Sequence, residues 1–293
     1  MDQAANLRNI VKGFQDEPTS IARVITVTSG KGGVGKSNLS VNLAIQLSRL
    51  GKRVVVLDAD FGLANVEVML GIRPKYNLAD MIFHGKTLSE IITMGPENIG
   101  FISGGSGIQE LSNLSKEQIT YLTKKLIQLD EFADVVIIDT GAGIGDAVME
   151  FIMCSSEVLL VATPEPTSIT DAYALVKALN RKDGFTTNAT SLKLVTNRVR
   201  SEAEGQNLYK KFNEVIERFL NLKLEYLGCV IQDTNVSKAV MLQKPVSVIY
   251  PNSSAAQSYK RLAETLTHTQ VTTEKKVGLA KLFSKMIKIR SER

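Results

Sequence analysis

The sequence predicts an α/β fold, a three-layer domain in which a mostly parallel β-sheet lies between helices. Short runs rich in β-branched residues alternate with longer stretches of helical composition, which is the order expected for βα units. In addition, runs such as VVVL, DVVIID and EVLLVA are apolar at every position. Continuous apolar strands are typical of a parallel sheet whose two faces are both covered by helices.

No linker, internal repeat or low-complexity tract interrupts residues 23–268. The predicted strands are Val24–Thr28, Val54–Asp58, Ile99–Ile102, Val135–Asp139, Val158–Ala162, Lys193–Thr196, Leu227–Ile231 and Val246–Ile249. The predicted helices are 36–50, 115–130, 168–181, 203–220 and 254–267. We expect one domain over 23–268, a flexible partner-binding head over 1–22, and a tail over 269–293 that holds a linker and a C-terminal helix.

The composition is that of an ordinary globular protein, with 44% hydrophobic residues among 293 and a mean hydropathy of +0.02. No apolar run reaches the ~20 residues that a membrane span needs. The start MDQAANLRNIVKG has neither the basic first segment nor the apolar centre of a signal peptide, so we expect a cytoplasmic protein. Cys154 and Cys229 lack CxxC spacing, and His84 and His268 are isolated, which disfavours a redox or zinc site.

The basic charge of the chain lies at its end. The formal net charge is +5, and residues 274–293 contain seven basic and two acidic side chains. This segment therefore accounts for the whole excess, and the rest of the chain is formally neutral. Because nucleic-acid binding needs a broad basic surface, we expect no specific nucleic-acid partner.

A glycine-rich loop follows the first predicted strand. Gly30, Gly35, Lys36 and Ser37 fit the pattern G-x-x-x-x-G-K-[ST], between the strand RVITVTS and the helical stretch KSNLSVNLAIQLSRL. In such a loop the backbone N–H groups point at phosphate oxygens, the lysine reaches the terminal phosphates, and the serine hydroxyl binds Mg²⁺. The alternative is a plain glycine turn, but the strand–loop–helix context favours nucleotide binding.

Three carboxylates follow predicted strands. Asp58 and Asp60 end the segment VVVLDAD, and Asp139 ends DVVIID. Since ligands of open α/β sheets bind at the carboxyl ends of the strands, we expect these side chains beside the glycine-rich loop. Asp139 would act on Mg²⁺ directly or through its water, and Asp60, which begins a loop, would orient the attacking water. Alternatively, these residues only cap their loops.

The loop GKGGVGKS carries a second lysine, Lys31, and resembles the deviant Walker A box of the MinD/ParA-type ATPases. The resemblance covers residues 23–268. It is strongest over DADFGLANVEVMLGIRPKYNLADMI, NLADMIFHGKTLSEIITMGPENIGFISGGSG and DTGAGIGD, which are most similar to the FlhG (FleN/YlxH) group of flagellar-number regulators. It implies a P-loop NTPase fold, ATP and Mg²⁺ as cofactors, and slow hydrolysis of ATP to ADP and phosphate.

The resemblance also implies roles for single residues. Lys31 would cross the interface of an ATP-bound homodimer to the other subunit's phosphate, and would be catalytic together with Lys36 and Asp60. The metal region would be formed by Ser37, Asp58 and Asp139. The nucleotide-binding residues would be Gly30, Lys31, Gly32, Gly33, Val34, Gly35, Lys36, Ser37, Asn38 and the adenine-reading Asn197. A solvated loop lysine at 31 and a turn residue at 197 are the alternatives.

The head contains a pattern and a motif. Leu7, Ile10, Val11 and Phe14 share one face of a short helix, which could pack on its own domain or on a partner. The resemblance favours the partner, because the head matches the DQAxxLR motif that is linked to stimulation of the FlhF-type GTPase of the signal-recognition-particle class. The matching residues are Asp2, Gln3, Ala4, Ala5, Leu7 and Arg8.

The tail predicts an amphipathic helix. At 100° per residue its apolar side chains span about 140° and its lysines lie on the opposite side, as in helices that lie in a membrane interface. The resemblance implies a membrane-targeting helix, and the alternative is a helix docked on the domain. The membrane-facing residues would be Leu279, Leu282, Phe283, Met286 and Ile287 with Lys281, Lys285 and Lys288.

Together these features predict an ATP-dependent switch that dimerises, associates with the membrane and regulates flagellar number and placement. The expected partners are a second copy, the FlhF-type GTPase, an anionic membrane surface, and flagellar switch-complex proteins or a flagellar transcription regulator. We expect the protein in the cytoplasm, and peripherally on the inner face of the cell membrane when ATP is bound. The alternatives are a cell-division MinD, a ParA-type positioning ATPase, an iron–sulfur redox protein and a small-molecule kinase.

Overall fold

The computed structural model of the protein describes residues 22–60, 65–105, 121, 125, 128–183, 185 and 190–268. The predicted tail lies outside these residues, and so does the predicted head apart from Ala22. Most of the predicted helix 115–130 also lies outside them. No helix in the described ranges combines the length and the apolar character that crossing a bilayer requires.

The strands of the described residues form a single sheet, and the first seven predicted strands are present with shifted ends. They are β1 Arg23–Ser29, β2 Val54–Ala59, β3 Thr93–Met94, β4 Gly100–Ile102, β5 Val135–Ala142, β6 Glu157–Ala162, β7 Ser191–Val199 and β8 Glu225–Ile231. Their order across the sheet is β3-β4-β2-β5-β1-β6-β7-β8. Neighbouring strands are parallel except for the antiparallel pair β3–β4 at one edge, which confirms the mostly parallel sheet.

Helices connect the strands, and four of the predicted ones are present within one or two residues of their predicted ends. The helices are α1 Lys36–Arg49, α2 Asn65–Leu70, α3 Leu78–Phe83, α4 Leu88–Ile91, α5 Leu129–Phe132, α6 Asp146–Cys154, α7 Pro166–Asn180, α8 Glu202–Leu220, α9 Thr234–Met241, α10 Val246–Ile249 and α11 Ser254–His268. A short 3₁₀ turn, Pro96–Asn98, precedes β4.

Apolar side chains cover both faces of the sheet. Ile25 and Val27 of β1 belong to a buried cluster that also contains side chains of α1 and α11. Val24, which alternates with them, belongs to a different cluster, and Leu160 of β6 packs with α7 and α8. Each central strand therefore buries both of its sets of alternating side chains, and this confirms the three-layer arrangement predicted from the all-apolar runs.

The prediction of a strand over Val246–Ile249 is wrong, because these residues form the helix α10. Pro245 precedes the helix with a φ of −62°, and Val246 and Ser247 are buried. The N–H of Ser247 donates to Oδ1 of Asn42 on α1 at 2.9 Å, instead of to a neighbouring strand. The β-branched composition favours a strand, but packing against α1 and α11 decides the conformation.

Several short helices had no prediction. The helices α2, α3, α4, α6 and α9 are four to nine residues long, which is too short for a clear helical period. Two of them carry a different signal. Asn77 and Thr87 begin α3 and α4 with capping boxes to Asp80 and Glu90, and this spacing is readable in a sequence.

A buried charge network fastens the start of β1 to the end of α11. Glu157 in β6 is 2% exposed and forms ion pairs with Arg23 at 2.5 Å and with Lys193 at 2.9 Å. Burial alone would raise the pKa of Glu157, but the two cations outweigh it and hold that pKa below its usual value. Arg23 also donates from Nη1 to the carbonyl oxygen of Leu266, at 2.5 Å. The first and last described elements therefore meet at the amino edge of the sheet.

Candidate functional site

The glycine-rich loop and the predicted carboxylates lie at the carboxyl edge of the sheet. The strand β5 lies between β1 and β2, and all three run parallel. Asp58 of β2 is directly opposite Asp139 of β5, and Asp139 is opposite Val27 near the end of β1. Since parallel strands end at the same edge, the structure brings these predicted residues together.

Residues 30–35 turn the chain from β1 into α1. Gly35 precedes the helix with a φ of 99°, in the left-handed region, and no side chain caps the helix. A Cβ at Gly35 would lie 2.4 Å from Nδ2 of Asn197, and a Cβ at Gly30 would lie 2.1 Å from the carbonyl oxygen of Asp171. Only glycine fits at these two positions. Without a side-chain cap, the N–H groups of the first helical turn can bind an anion.

Lys36 begins α1 and is only 7% exposed. Burial lowers the pKa of its ammonium group, and the negative charges of Asp139 and Asp60 oppose that shift. The charge of Lys36 therefore depends on nearby anions, and phosphate groups would add to them. Ser37 and Asn38, both half-buried, follow in the same helical turn.

Asp139 is fully buried at the centre of the site. Its Oδ1 accepts a hydrogen bond from the hydroxyl of Ser40 at 2.8 Å. Its Oδ2 is also buried and has no hydrogen-bond partner among the described residues. Burial raises the pKa of Asp139 to about 6, although the hydroxyls of Ser37 and Ser40 and the charge of Lys36 oppose the shift.

Asp58 is 3% exposed. Its Oδ1 accepts from the N–H of Asp60 at 3.0 Å, and its Oδ2 accepts from the N–H of Val66 at 3.4 Å. Burial raises the pKa of Asp58 most, and the negative charge of Asp139 raises it further. Together they bring this pKa to about 8 despite the two hydrogen bonds. On these contacts alone, Asp58 is mainly protonated at neutral pH. Asp60 is half-buried and immediately precedes residues 61–64, which lie outside the described ranges.

The residues present fit a divalent cation that is held together with a nucleotide. Asp139 has a buried oxygen without a partner among the described residues, and the carboxyl groups of Asp58 and Asp60 lie close enough to affect its charge or that of Lys36. No group of three or more His, Cys, Asp or Glu side chains in the described residues is arranged to hold a metal ion by itself. Further ligands would therefore come from the hydroxyl of Ser37, water and phosphate oxygens, which are the hard oxygen donors that Mg²⁺ prefers.

Lys31 contacts its own chain. Its Nζ donates to Oε2 of Glu165 at 2.9 Å and to Oγ1 of Thr167 at 2.7 Å, both at the start of α7. The side chains of Lys31 and Glu165 are 35% and 53% exposed, and the hydrogen bond from Lys31 lowers the pKa of Glu165. Exposed ion pairs are weak, so Lys31 can exchange these contacts for a stronger anion. Its predicted contact across a dimer interface stays a prediction.

Asn197 lies between the loop and a cavity of about 330 Å³. Its Nδ2 donates to the carbonyl oxygen of Val34 at 2.7 Å. Asn38, Tyr259 and the segment that follows Ile231 also line the cavity. The volume is within the range of small-molecule sites. That Asn197 reads adenine stays a prediction.

Sequence reasoning missed several side chains of this site. Ser40 follows Lys36 by one helical turn and therefore faces the same side of α1, which is a readable signal. Glu165, Thr167 and Arg198 come from the ends of other elements, and no pattern in the sequence marks them. The predicted partner-binding residues of the head and membrane-facing residues of the tail lie outside the described ranges.

Comparisons with known proteins point to one family. A family model described as the NUBPL iron-transfer P-loop NTPase, of the ParA group, matches residues 20–267. The antiactivator FleN of Pseudomonas aeruginosa is 45% identical over 242 residues, covering 83% of this chain and 85% of the relative. The flagellum site-determining protein YlxH of Helicobacter pylori is 33% identical, and the match covers 98% of this chain and 97% of the relative. Among solved structures, the septum site-determining protein MinD from Pyrococcus horikoshii, complexed with Mg-ADP, is similar to this chain with a TM-score of 0.68 and 25% identity. The match covers 85% of this chain and 97% of the MinD chain.

The raised pKa of Asp58 predicts how stability depends on pH. The unfolded chain releases this proton near pH 4, but the folded protein keeps it until about pH 8. Nucleotide-free protein should therefore lose stability as the pH rises through this window. We expect Asp58→Asn to raise the free energy of unfolding by up to about 5 kcal/mol at pH 8, because the pKa lies about four units above its ordinary value and each unit corresponds to about 1.4 kcal/mol, with a smaller gain toward pH 4. Denaturant unfolding at several pH values measures it.

Asp134→Asn is the matched control for that experiment. A hydrogen bond from Arg53 lowers the pKa of Asp134, so its replacement should give no gain at pH 8. An equal stability difference between wild type and Asp58→Asn at pH 5 and pH 8 would contradict the raised pKa.

Proposed function

This chain belongs to the ParA/MinD family of P-loop NTPases, and we propose that it is an ATP-driven switch that regulates the number and placement of flagella. As a member of this family it is an ATPase that uses ATP with Mg²⁺. The flagellar assignment follows the relatives FleN and YlxH, of which the latter matches almost the whole chain. The switch, its membrane anchor and its FlhF-type partner are the finer parts of the proposal.

The observation that supports nucleotide chemistry is the arrangement at the carboxyl edge. No side chain caps the first turn of α1 after the loop, Lys36 is buried beside Asp139, and Ser37 follows it. These groups would bind the phosphates, with Ser37, Asp58 and Asp139 in the metal region. Bound Mg²⁺ would supply positive charge to the phosphate oxygens. Asp60, half-buried at the mouth of the site, would orient the attacking water.

The switch would work through Lys31. Its contacts to Glu165 and Thr167 are exposed, so they cost little to break. In a dimer whose two ATP molecules face each other, Lys31 of each subunit would offset the repulsion between phosphates and stabilise the transition state. Dimerisation would then depend on the terminal phosphate, and hydrolysis would reset the switch.

Other members of the superfamily fit less well. A ParA-type protein that positions cargo on DNA needs a basic surface, whereas the basic excess of this chain lies in residues 274–293. A cell-division MinD does not account for the DQAANLR head or for 45% identity to FleN. An iron–sulfur site needs cysteines beside the nucleotide, but Cys154 ends α6 and Cys229 lies on the edge strand β8.

The role of Asp60 predicts the behaviour of one variant. Asp60→Ala should bind Mg-ATP with an affinity close to wild type but hydrolyse it about 100-fold more slowly, because the attacking water is no longer oriented. The variant should accumulate as a dimer on anionic vesicles. Calorimetry, phosphate release and vesicle co-sedimentation measure these quantities. Asp183→Ala, on the exposed turn after α7, is the control, and a normal hydrolysis rate in Asp60→Ala would remove Asp60 from the mechanism.

The proposed membrane role of the tail predicts that vesicle binding can be lost without a loss of ATP binding. Deleting residues 275–293 should abolish ATP-dependent binding to anionic vesicles and leave Mg-ATP affinity unchanged. Replacing Lys281, Lys285 and Lys288 with Gln should weaken vesicle binding by about 100-fold, since each cation near anionic lipid contributes about 1 kcal/mol. Neutral vesicles serve as the control. Equal co-sedimentation of the full-length and truncated chains would refute the anchor without affecting the ATPase assignment.

The head predicts stimulation of a second enzyme. A peptide of residues 1–20 should raise the GTP hydrolysis rate of an FlhF-type GTPase, and the same peptide with Gln3→Ala and Arg8→Ala should not. Both peptides keep Leu7, Ile10, Val11 and Phe14, so the pair separates the motif from general apolar binding. Equal rates with the two peptides would assign the head another role.

A further inference from the structure

Two consecutive residues at the end of β7, Asn197 and Arg198, hold two consecutive carbonyl groups of the glycine-rich loop. Nδ2 of Asn197 donates to the carbonyl oxygen of Val34 at 2.7 Å. Nη2 of Arg198 donates to the carbonyl oxygen of Gly33 at 2.8 Å. We call Asn197 and Arg198 the β7 pair. Adjacent residues of a regular strand point to opposite faces of the sheet, so an irregularity must allow both to reach one loop.

The irregularity is a bulge in the pairing of β7 with β8. Asn197 is opposite Val230 and Val199 is opposite Ile231, so that Arg198 is left over between them. Arg198 has a φ of 59°, in the left-handed region, and its N–H donates to Oδ1 of Asn197 at 2.9 Å. A bulge re-aims the side chain at its position, and a non-glycine residue in this conformation is strained. Such strain is typical of functional sites.

The two hydrogen bonds fix the direction of the loop amides. In a trans peptide the C=O and the following N–H point in opposite directions. When the carbonyls of Gly33 and Val34 are held toward β7, the N–H groups of Val34 and Gly35 must face away from β7. The helix α1 follows this loop directly and has no side-chain cap, so the N–H groups of its first turn can also bind an anion. The close approach requires glycine at 35, since a Cβ there would lie 2.4 Å from Nδ2 of Asn197.

We propose that Arg198 is a positioning residue that orients the amides of the glycine-rich loop toward phosphate before a nucleotide binds. Its role rests on the proposed ATP site and acts through the loop backbone, to which its hydrogen bond is made, although Arg198 also lines the cavity beside Asn197. The guanidinium contributes a charge-assisted hydrogen bond to a loop that has several glycines and little stiffness of its own. Nucleotide binding is tighter when this order already exists in the free protein.

Two measurements on the full-length chain test this proposal. The first is the NMR order parameter of the Val34 and Gly35 amides without nucleotide, and the second is the Kd for Mg-ATP. Arg198→Gly removes the guanidinium and tolerates the left-handed backbone. It should lower both order parameters and raise the Kd about tenfold, the effect of losing one hydrogen bond. Arg200→Gly makes the same replacement two residues along and should change neither quantity.

Arg198→Ala separates positioning from stability. Alanine keeps the strained backbone, so this variant should unfold more easily than Arg198→Gly but bind Mg-ATP equally weakly. If only Arg198→Ala loses affinity, the effect is one of stability and the proposal fails.

The remaining outcomes are equally decisive. Ordered amides with a raised Kd in Arg198→Gly would mean that Arg198 contacts the nucleotide directly, and disordered amides with a normal Kd would mean that the order is irrelevant to binding. Either result overturns the positioning role. Failure of the wild-type chain to bind Mg-ATP would instead contradict the proposed function. The order parameters of the wild type and the variants could still be compared without nucleotide, so the two failures can be distinguished.

Discussion

The register of β2, β5 and β1 is the constraint on which the rest of the site depends. Asp58, Asp139 and Val27 lie side by side because the three parallel strands are paired in regular register up to these residues, and an irregularity in β1 follows only after Val27. Since side chains alternate along a strand, a shift of one residue would turn Asp58 to the face away from α1. The two faces of these strands pack closely against different sets of side chains, and this packing opposes such a shift. The hydrophobic core therefore determines which side chains meet at the carboxyl edge of the sheet.

The same register makes the site energetically unfavourable when no ligand is bound. Asp58 and Asp139 are buried next to each other, and Oδ2 of Asp139 has no hydrogen-bond partner among the described residues. The ammonium group of Lys36 is largely removed from water. The pKa of Asp58, raised to about 8, reports that penalty. A bound cation would add positive charge beside Asp139, and phosphate groups would add negative charge beside Lys36. Proteins commonly carry such local instability where they bind ligands, and the surrounding core offsets it.

The sequence predicted the centre of the site but not its periphery. The loop, Asp58 and Asp139 could be found because a motif and all-apolar strands mark them locally. The strand predicted over Val246–Ile249 is a helix because its environment, with Asn42 of α1 as hydrogen-bond partner, overrides composition. Arg198 could not be found, because its position depends on a bulge between β7 and β8, and pairing between distant segments leaves no trace in a local pattern.

The contact between Arg23 and Leu266 has a consequence for the segments outside the described domain. It joins the first strand to the last helix at the amino edge, across the sheet from the glycine-rich loop. The described ends of the domain, next to which the predicted head and tail begin, are therefore in contact. If the proposed head and tail bind a protein partner and a membrane, both would be attached at this edge, about a strand's length from the nucleotide site.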